Sequence, residues 1–373
     1  MRGSRSRLIT PALVLDLDRL ESNIAAMASH CRRVGLALRP HAKTHKSLRI
    51  AQLQLDAGAL GICCATIGEA EIMVRGGLSG VLITSPVVQP GNIERLVRLV
   101  AGGDFVRGPG APMAVVDDAG NVRALSAAAA ATGVTLRLLV DFDIGLGRTG
   151  VATVPGAVAL ARLIRDSAAV ELAGLQGYAG HLQHIDAFDA RRELASAQAA
   201  PMAEVIEALE REGMKPAIVS GGGTGTHDID HGGVFTELQA GSYTVMDVEY
   251  GDVELSGAAT HPPFEPALFV RTTVVSANGQ GMVTTDAGLK RFATDGPKPR
   301  IARGAPAGAL YAFSGDEHGC VVFADASQRL AVGAALECIV PHCDPTVNLY
   351  DHYHCVRGDD LVEIWPVDAR GAY

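Results

Sequence analysis

The chain has 373 residues, of which 48% are hydrophobic and 20% are charged. A chain of this length and composition buries a large core, which excludes the disordered and fibrous classes of protein. Its 32 basic and 41 acidic residues give a net charge of −9 at pH 7. Because this charge argues against nucleic acid and anionic membranes as main partners, we expect the ligand to be a small molecule.

The seven cysteines form no CxxC pair. The sequence therefore predicts neither a disulfide framework nor a structural zinc site, and we expect a cytoplasmic protein. No apolar run is long enough to span a bilayer, and the basic residues within 1–7 are followed by no signal-peptide core. Residues 1–7 resemble vector-derived sequence and are left out of the fold prediction.

Between residues 36 and 243, short aliphatic runs alternate with longer amphipathic ones, which is typical of βα units on a parallel sheet. Eight strands are predicted at 36–40, 61–65, 81–84, 113–117, 135–143, 172–178, 217–220 and 236–241. Seven helices are predicted at 19–34, 48–56, 67–75, 92–100, 121–131, 155–165 and 188–212. Eight strands are what a closed (β/α)8 TIM-type barrel requires, and we assign this α/β domain to residues 18–250.

After residue 250, the predicted strands follow one another with almost no helix between them. They lie at 267–273, 281–286, 319–324, 336–341, 353–356 and 361–366. This pattern predicts a second, all-β domain over residues 251–373, reached through a crossover at 251–266 that is rich in Gly, Pro and Ala. A further strand, at 11–17, is compatible with either domain, and we group residues 8–17 with the β domain.

A glycine-rich loop follows the seventh predicted strand. Such a loop presents backbone N–H groups with no side chains in the way, which suits a phosphate group, although an isolated Gly-rich loop is as often a flexible turn. Its position favours phosphate, because the last two strands of a barrel commonly form the phosphate site. The candidate phosphate-binding residues are Gly222, Gly223, Thr224, Gly241, Ser242 and Tyr243.

Lys43 follows the first barrel strand and is flanked by His41 and His45, with Lys46 as a close rival. A lysine among apolar and cationic neighbours loses proton affinity and can form a Schiff base with a carbonyl cofactor. An isolated lysine is more often a solvated surface cation. A reactive lysine and a phosphate-binding loop on one barrel rim are what pyridoxal 5'-phosphate requires.

The stretch 145–150 matches the dinucleotide-binding pattern GxGxxG. In that motif the glycines open a helix directly, whereas Val151, Thr153 and Pro155 delay the helix here. We therefore reject a dinucleotide site. Arg148 is instead expected to meet an anionic oxygen of a cofactor or substrate.

A candidate metal site lies in the predicted β domain at His342 and Asp344. Pro345 disfavours a helical Asp344, and residues two apart in an extended segment face the same way, with Cys343 pointing away. An imidazole and a carboxylate suit a divalent ion such as manganese, zinc or cobalt. A hydrogen-bonded His–Asp pair without metal is the alternative.

Three further histidines are candidates. His181 and His184 share a face if a helix begins there, and a histidine on the rim can act as a general base. Both are equally compatible with ordinary loop histidines. His318 lies near the junction of the domains, and its residue type alone assigns it no role.

Several long motifs occur in one order along nearly the whole chain. They are PHAKTHK at 40–46, GICCATIGEAE at 61–71, LQGY at 175–178, GGGTGT at 221–226, ELQAGSY at 237–243, DAGLK at 286–290, DEHG at 316–319 and HCDPTVNLYD at 342–351. Together these motifs resemble the D-threonine aldolase and D-serine dehydratase group of pyridoxal-phosphate enzymes. The fold of this group is that of alanine racemase, a barrel followed by a β domain.

The resemblance implies roles for individual residues. Lys43 corresponds to the Schiff-base lysine, Tyr178 to a tyrosine near the pyridine nitrogen, and Arg148 to an arginine near the phenolic oxygen. His184 corresponds to a histidine that acts on the substrate hydroxyl together with a metal. The glycine loop and 241–243 match the phosphate site. His342 and Asp344 match the ligands of a divalent metal, of which manganese is expected first and zinc, cobalt or magnesium next.

The resemblance also implies a reaction and a homodimer. In this group, dehydratases carry the motif His-x-Cys at the metal, whereas aldolases carry His-Cys-Asp. The resemblance at Asp344 therefore favours retro-aldol cleavage of D-threonine or another β-hydroxy-D-amino acid. The sequence departs from relatives that carry Gln-Lys at Ala65-Thr66, which we expect to change substrate preference. A dehydratase that releases a 2-oxo acid and ammonia is the nearest alternative. A racemase is less favoured, because it would make no use of the pair His342 and Asp344. A non-catalytic pyridoxal-phosphate carrier is also less favoured, because such proteins resemble only the barrel and not the β domain.

Overall fold

The structure is a computed structural model that describes residues 3–102, 110–257 and 262–373. The first strand, β1 (Ala12–Asp16), leads into the helix α1 (Leu17–Val34). After them the chain forms a parallel α/β barrel and then a mainly antiparallel β domain. This architecture confirms the predicted fold class.

Eight parallel strands form the barrel. They are β2 (Ala37–Leu38), β3 (Cys63–Cys64), β4 (Leu82–Ile83), β5 (Met113–Val116), β6 (Leu136–Asp141), β7 (Val170–Gly177), β8 (Ile218–Gly221) and β9 (Glu237–Leu238). Their spatial order is β2-β9-β8-β7-β6-β5-β4-β3, and a parallel bridge between His41 and Cys63 joins the two ends of this sheet. The closure brings the C-terminal ends of all eight strands to one rim.

The helices surround these strands and pack their apolar faces against them. After α1 they are α2 (Leu48–Asp56), α3 (Ile67–Arg75), α4 (Pro90–Gly102), α5 (Ala119–Thr132), α6 (Val154–Asp166), α7 (Phe188–Arg211) and the short α8 (Val248–Gly251). The sequence predicts all but α8. Side chains such as Leu125 of α5, Ile164 of α6 and Val205 of α7 are completely buried, as expected for the core-facing stripe of an amphipathic helix.

The β domain contains one sheet with a branch. Its further strands are β10 (Leu268–Ser276), β11 (Met282–Thr285), β12 (Arg300–Arg303), β13 (Leu310–Phe313), β14 (Gly319–Val322), β15 (Ala335–Ile339), β16 (His352–Arg357) and β17 (Asp360–Pro366). Strand β1 pairs antiparallel with β10 and parallel with β16. The residues just before α1 therefore belong to the sheet of the β domain.

The sequence does not predict β12 and β13. Three of the four residues of β12 are exposed, and β13 has one exposed residue and one buried residue. Neither strand has the regular alternation of buried and exposed residues on which a prediction from the sequence depends.

Residues 3–7, which the fold prediction leaves out, take part in the fold, while residues 1 and 2 lie outside the described residues. Ser4–Arg7 form a 3-10 helix, and the buried Arg5 makes an ion pair with Glu337. Its Nε lies 2.9 Å from a carboxylate oxygen of Glu337. Sequence patterns give no sign of such a distant partner.

One apolar cluster spans the boundary between the barrel and the β domain. It includes Leu20 and Met27 of α1 together with Val270 of β10 and Leu336 of β15, all nearly or completely buried. Within the described ranges, no helix has the length and apolar character needed to cross a membrane.

Candidate active site

A cavity of about 520 Å³ opens at the C-terminal rim of the barrel, next to the β domain. Of the candidate cofactor, catalytic and metal residues, those that line it are Lys43, Arg148, Tyr178, His184, Gly223, Thr224, Gly241, Ser242 and His342. Another cavity, of about 630 Å³, lies between the start of α7 and the crossover, and its lining includes Phe188, Pro263 and Phe264. The first cavity contains the candidate chemical groups, and we assign the site to it.

Lys43 lies in a 3-10 turn that follows β2, and His41 caps that turn. The backbone N–H of Lys43 donates to Nδ1 of His41 at 3.3 Å, and the other ring nitrogen of His41 lies 3.0 Å from the hydroxyl of Thr84. Burial lowers the pKa of His41 to about 3, so the ring is neutral at pH 7. The turn therefore presents the Lys43 side chain, which is 39% exposed, to the cavity.

The ammonium of Lys43 makes an ion pair with Asp344 of the β domain. Burial is the largest single effect and disfavours the charged form of Lys43. The charge of Asp344, its hydrogen bond and the nearby Tyr178 and Cys343 together exceed that effect and raise the pKa of Lys43. The expectation that cationic neighbours lower this pKa is therefore wrong. For Asp344 burial likewise disfavours the charge, yet the positive charge of Lys43 holds its pKa well below the usual range.

The rival lysine, Lys46, does not line the cavity. Its ammonium lies 2.5 Å from a carboxylate oxygen of the buried Glu69, whose other oxygen accepts from the backbone N–H of Ala65 at 2.7 Å. This pair supports the start of α3 and leaves Lys43 as the candidate for the reactive amine.

The glycine loop, defined here as residues 222–226, follows β8. Gly222 has φ +67°, and a Cβ on Gly223 would lie 2.4 Å from Oε1 of Gln183. The hydroxyl of Thr226 accepts from the backbone N–H of Gly223 at 3.1 Å and donates to the buried Asp230 at 2.6 Å. Gly222 itself does not line the cavity, where the loop presents Gly223 and Thr224.

The segment after β9, residues 241–243, lies opposite the glycine loop. The two together form the candidate phosphate site, which we call the cup. The backbone N–H of Tyr243 donates to the hydroxyl of Thr224 at 3.0 Å. The Tyr243 side chain is completely buried, and its hydroxyl accepts from Gln54 at 3.0 Å, so it faces the core rather than the cavity. Gly241 and Ser242 are the cavity-facing members of this segment.

The residues present fit pyridoxal phosphate. The cup has no room for side chains, because a Cβ on Gly241 would lie 2.6 Å from the Thr44 hydroxyl. That buried hydroxyl has no hydrogen-bond partner within the described part of the chain and could donate to a phosphate oxygen. Lys43 supplies an amine in the same cavity. The guanidinium carbon of Arg148 lies 5.7 Å from the ring centre of Tyr178, so this pair forms one further wall.

His184 follows a 3-10 turn at Gly180–Leu182 and lines the cavity. Its Nε2 lies 3.6 Å from a carboxylate oxygen of Glu249, and its ring centre lies 4.5 Å from that of Tyr250. Burial, followed by the charge of His342, lowers the pKa of His184. A neutral imidazole at pH 7 can accept a proton.

The two other candidate histidines lie outside the cavity lining among the described residues. His181 turns away from His184, and its Nε2 lies 2.8 Å from the side-chain nitrogen of Gln198. His318 lies in the turn before β14, where its carbonyl accepts from the N–H of Ser314 at 2.8 Å.

The local geometry predicted for the metal pair is wrong. His342 is extended, but Asp344 lies in the short helix α9 (Cys343–Val347), because Pro345 occupies the first turn, where a missing N–H costs nothing. His342 Nδ1 lies 2.8 Å from a carboxylate oxygen of Asp295. Within the described ranges, no group of three or more metal-binding side chains is arranged to hold an ion. The donors have the right chemistry for a divalent cation, but their arrangement does not form a complete site.

Sequence reasoning missed Asp295 and Glu249. Asp295 lies in the Gly- and Pro-rich stretch 293–299, which is typical of a turn, and Glu249 lies in the unpredicted α8. The available signal was weak, because Asp295 is a lone acidic residue in a turn and Glu249 is one of four acidic residues within 247–254. The fold places Asp295 next to His342 and Glu249 next to His184.

Comparisons with known proteins agree with this geometry. Residues 15–248 match the family model of the alanine racemase N-terminal domain, and residues 267–356 match a serine dehydratase domain model. The chain is 38% identical to 3-hydroxy-D-aspartate aldolase of Paracoccus denitrificans (98% of this chain, 93% of that protein). It is 39% identical to D-threonine aldolase of Arthrobacter sp. (98% and 94%). The crystal structure of D-threonine aldolase from Filomicrobium marinum superposes with a TM-score of 0.92 at 37% identity (98% and 97%).

Proposed function

Because the chain belongs to the alanine racemase-type family of pyridoxal-phosphate enzymes, we propose that it is a lyase that cleaves D-threonine or another β-hydroxy-D-amino acid into glycine and an aldehyde. One observation carries the proposal. The amine of Lys43, the imidazole of His184 and the metal-type donor His342 line one cavity between the barrel and the β domain. A non-catalytic pyridoxal-phosphate carrier that consists of the barrel alone would have no use for His342.

Pyridoxal phosphate is the cofactor that this family implies. When bound, it supplies an electron sink for the electron pair left by the broken Cα–Cβ bond. Gly223, Thr224, Gly241 and Ser242 would hold its phosphate, and Lys43 would hold its carbonyl carbon. Arg148 and Tyr178 line the same cavity and would contact the bound cofactor.

His184 is the residue we assign to the substrate hydroxyl. Retro-aldol cleavage requires removal of the proton from the β-hydroxyl while the Cα–Cβ bond breaks, which leaves the Cβ atom as an aldehyde. A neutral imidazole in the cavity wall accepts this proton, and Glu249 behind it stabilises the resulting imidazolium. The Cα atom then gains a proton and leaves as part of glycine.

We also propose that His342 and Asp344 hold a divalent cation, with manganese as the first candidate. A cation there would withdraw electron density from the hydroxyl of the substrate. It would also compete with Lys43 for Asp344, because the ammonium of Lys43 pairs with that carboxylate. Metal removal by a chelator is expected to abolish activity.

A dehydratase is the second candidate, because residues 267–356 match a serine dehydratase domain model. It would use the same cofactor site but expel the hydroxyl, so its products are a 2-oxo acid and ammonia. The carboxylate at Asp344, rather than a thiolate, is the feature that favours the aldolase.

The decisive experiment is product analysis. Purified protein is incubated with pyridoxal phosphate, Mn²⁺ and either D- or L-threonine, with and without a chelator, and acetaldehyde, glycine, 2-oxobutyrate and ammonia are measured. We expect glycine and acetaldehyde from the D-isomer alone, and none with the chelator. Formation of 2-oxobutyrate and ammonia would establish the dehydratase instead. Because Ala65 is a small residue in the cavity wall, the panel includes bulkier β-hydroxy-D-amino acids and 3-hydroxy-D-aspartate.

A lysine variant tests the cofactor assignment. Lys43→Ala is expected to lose both turnover and the visible absorbance of bound cofactor. The matched control is Lys46→Ala, which removes an ammonium three residues away that is paired with Glu69. Full activity of Lys43→Ala would contradict the proposal.

A cytoplasmic location and a homodimer complete the proposal. All seven cysteines are free and buried, which suits a reducing compartment. Sedimentation velocity of the purified protein measures the oligomeric state, and a dimer is expected.

A further inference from the structure

Arg191 contacts three segments of the chain at once. It lies in the first turn of α7 and is completely buried. Its Nε donates to the carbonyl of Gly225 at 2.7 Å, and its Nη1 donates to the carbonyl of Ile185 and to that of Asp186 at 3.3 Å. Its Nη2 donates to the carbonyl of Glu254. These four acceptors belong to the glycine loop, the segment after His184 and the crossover to the β domain.

All four acceptors are main-chain carbonyls, which is an unusual environment for a buried guanidinium. Burial lowers the pKa of Arg191, and the nearby charges of Glu254 and Asp186 only oppose this effect. A buried cation is tolerated when its donors are satisfied. Since the guanidinium is planar and rigid, satisfying it fixes the relative positions of its acceptors. The hydrogen bonds of Arg191 therefore fix the positions of the three segments relative to one another.

Gln183 links the same two segments independently. Its side-chain oxygen accepts from the backbone N–H of Gly225 at 2.9 Å, and its side-chain nitrogen lies 3.2 Å from the Thr226 hydroxyl. A Cβ on Gly225 would lie only 2.1 Å from the carbonyl oxygen of Gln183, so the two backbones are in direct contact. We call residues 179–186, which carry His184, the His184 segment.

We propose that Arg191 is a positioning residue that couples the glycine loop to the His184 segment, so that phosphate bound at the loop orders the general base. The inference rests on the proposed function, in which the cofactor phosphate occupies the loop and His184 accepts the proton. Arg191 does not line the cavity, and it acts only through the carbonyls it holds.

The test compares Arg191→Lys with Arg192→Lys. Lysine keeps the charge but cannot reach carbonyls in three directions, whereas Arg192 is an exposed neighbour paired with Asp189. Hydrogen exchange of peptides covering 179–187 and 220–227 is measured with and without saturating pyridoxal phosphate, and cofactor affinity is measured by absorbance titration. In the wild type and in Arg192→Lys, the cofactor should protect both peptides.

For Arg191→Lys we expect cofactor binding to weaken about tenfold or more, because hydrogen bonds from a charged donor are lost. At saturation the cofactor should still protect 220–227 but no longer 179–187, and kcat should fall while KM for the substrate changes little. Protection of both peptides together with wild-type kcat would overturn the proposal.

A second variant guards against misfolding of Arg191→Lys. Gln183→Met keeps the volume of the side chain but removes the contacts to Gly225 and Thr226, and the same partial loss of protection is expected.

Failure of the proposed function can be distinguished from failure of the coupling by Arg191. If the wild type binds pyridoxal phosphate but makes no aldehyde, the exchange data still test the coupling. If it binds no cofactor, the coupling predicts faster exchange of 179–187 in Arg191→Lys than in Arg192→Lys, and equal rates would overturn it.

Discussion

His342 and Asp295 form a carboxylate–imidazole pair, in which Nδ1 of the ring lies 2.8 Å from a carboxylate oxygen. The two residues come from different loops of the β domain. Such a pair fixes the orientation of the ring and leaves the other nitrogen, Nε2, for a cation. Burial disfavours the charged ring, but the negative charge of Asp344 and the bond to Asp295 raise the pKa of His342.

We expect Asp295→Asn to weaken metal binding by about 10–100-fold, because the ring loses the carboxylate that orients it. Calorimetric titration with Mn²⁺ measures this directly, without reference to turnover. Asp316→Asn, an exposed acid of the β domain paired with Lys290, is the control. Unchanged affinity for Mn²⁺ in Asp295→Asn would remove Asp295 from the site.

We expect His184→Asn to reduce kcat by about 10²–10⁴-fold, the usual range for loss of a general base. The absorbance of bound cofactor should persist, because the variant leaves Lys43 and the proposed phosphate-binding residues unchanged. His181→Asn serves as the control, since His181 is near in sequence but contacts Gln198. Equal losses in the two variants would mean that the effect is not specific to the cavity.

Gly222 and Gly232 form a matched pair for testing the glycine loop. Both have positive φ, +67° and +73°, so alanine is strained at either position. At Gly222 the added Cβ would also lie 2.2 Å from a carboxylate oxygen of Asp230, whereas at Gly232 it would meet no atom of the described residues within 4 Å. We expect Gly232→Ala to cost about 1 kcal/mol of unfolding free energy and Gly222→Ala about 2–4 kcal/mol. Only Gly222→Ala should also weaken cofactor binding, as measured by absorbance titration.

Asp230 makes stability depend on pH. Burial raises its pKa to about 7, against an ordinary value of 3.8. The folded state therefore binds a proton more tightly than the unfolded state, and this group's contribution to stability is lost as pH rises from about 4 through 7.

We expect Asp230→Asn, which keeps an acceptor for Thr226, to remove this loss. The variant should be more stable than the wild type by on the order of 2–4 kcal/mol at pH 8 and about equal to it at pH 4. Urea unfolding at several pH values measures the difference, with the exposed Asp189→Asn as the control. A difference that does not change with pH would show that Asp230 is not the group responsible.

The barrel and the members of its rim were predictable because they depend on local patterns. Alternating apolar runs locate the strands, and an α/β barrel concentrates chemistry at the residues that follow them. Lys43, His184 and the glycine loop could be found in this way. The β domain was harder, because strands such as β12 are short and mostly exposed.

Long-range pairs could not be predicted from these patterns. The Lys43–Asp344 ion pair joins residues from the two domains and reverses the expected direction of the Lys43 pKa. Arg191 resembles any arginine in the first turn of an amphipathic helix until the fold shows its four carbonyl partners. The helix around Asp344 was mispredicted for a local reason, since proline is acceptable in a first turn.

Strand β1 has consequences for the order in which the protein assembles. It is synthesised before the barrel, yet both of its partners, β10 and β16, are synthesised after it. A nascent chain must therefore carry an apolar strand with two open hydrogen-bonding edges while the whole barrel is translated. During that interval the strand is available to the edge of another nascent chain. Anything that slows synthesis between α1 and β16 is expected to lower the yield of active protein without changing a single contact in the folded state.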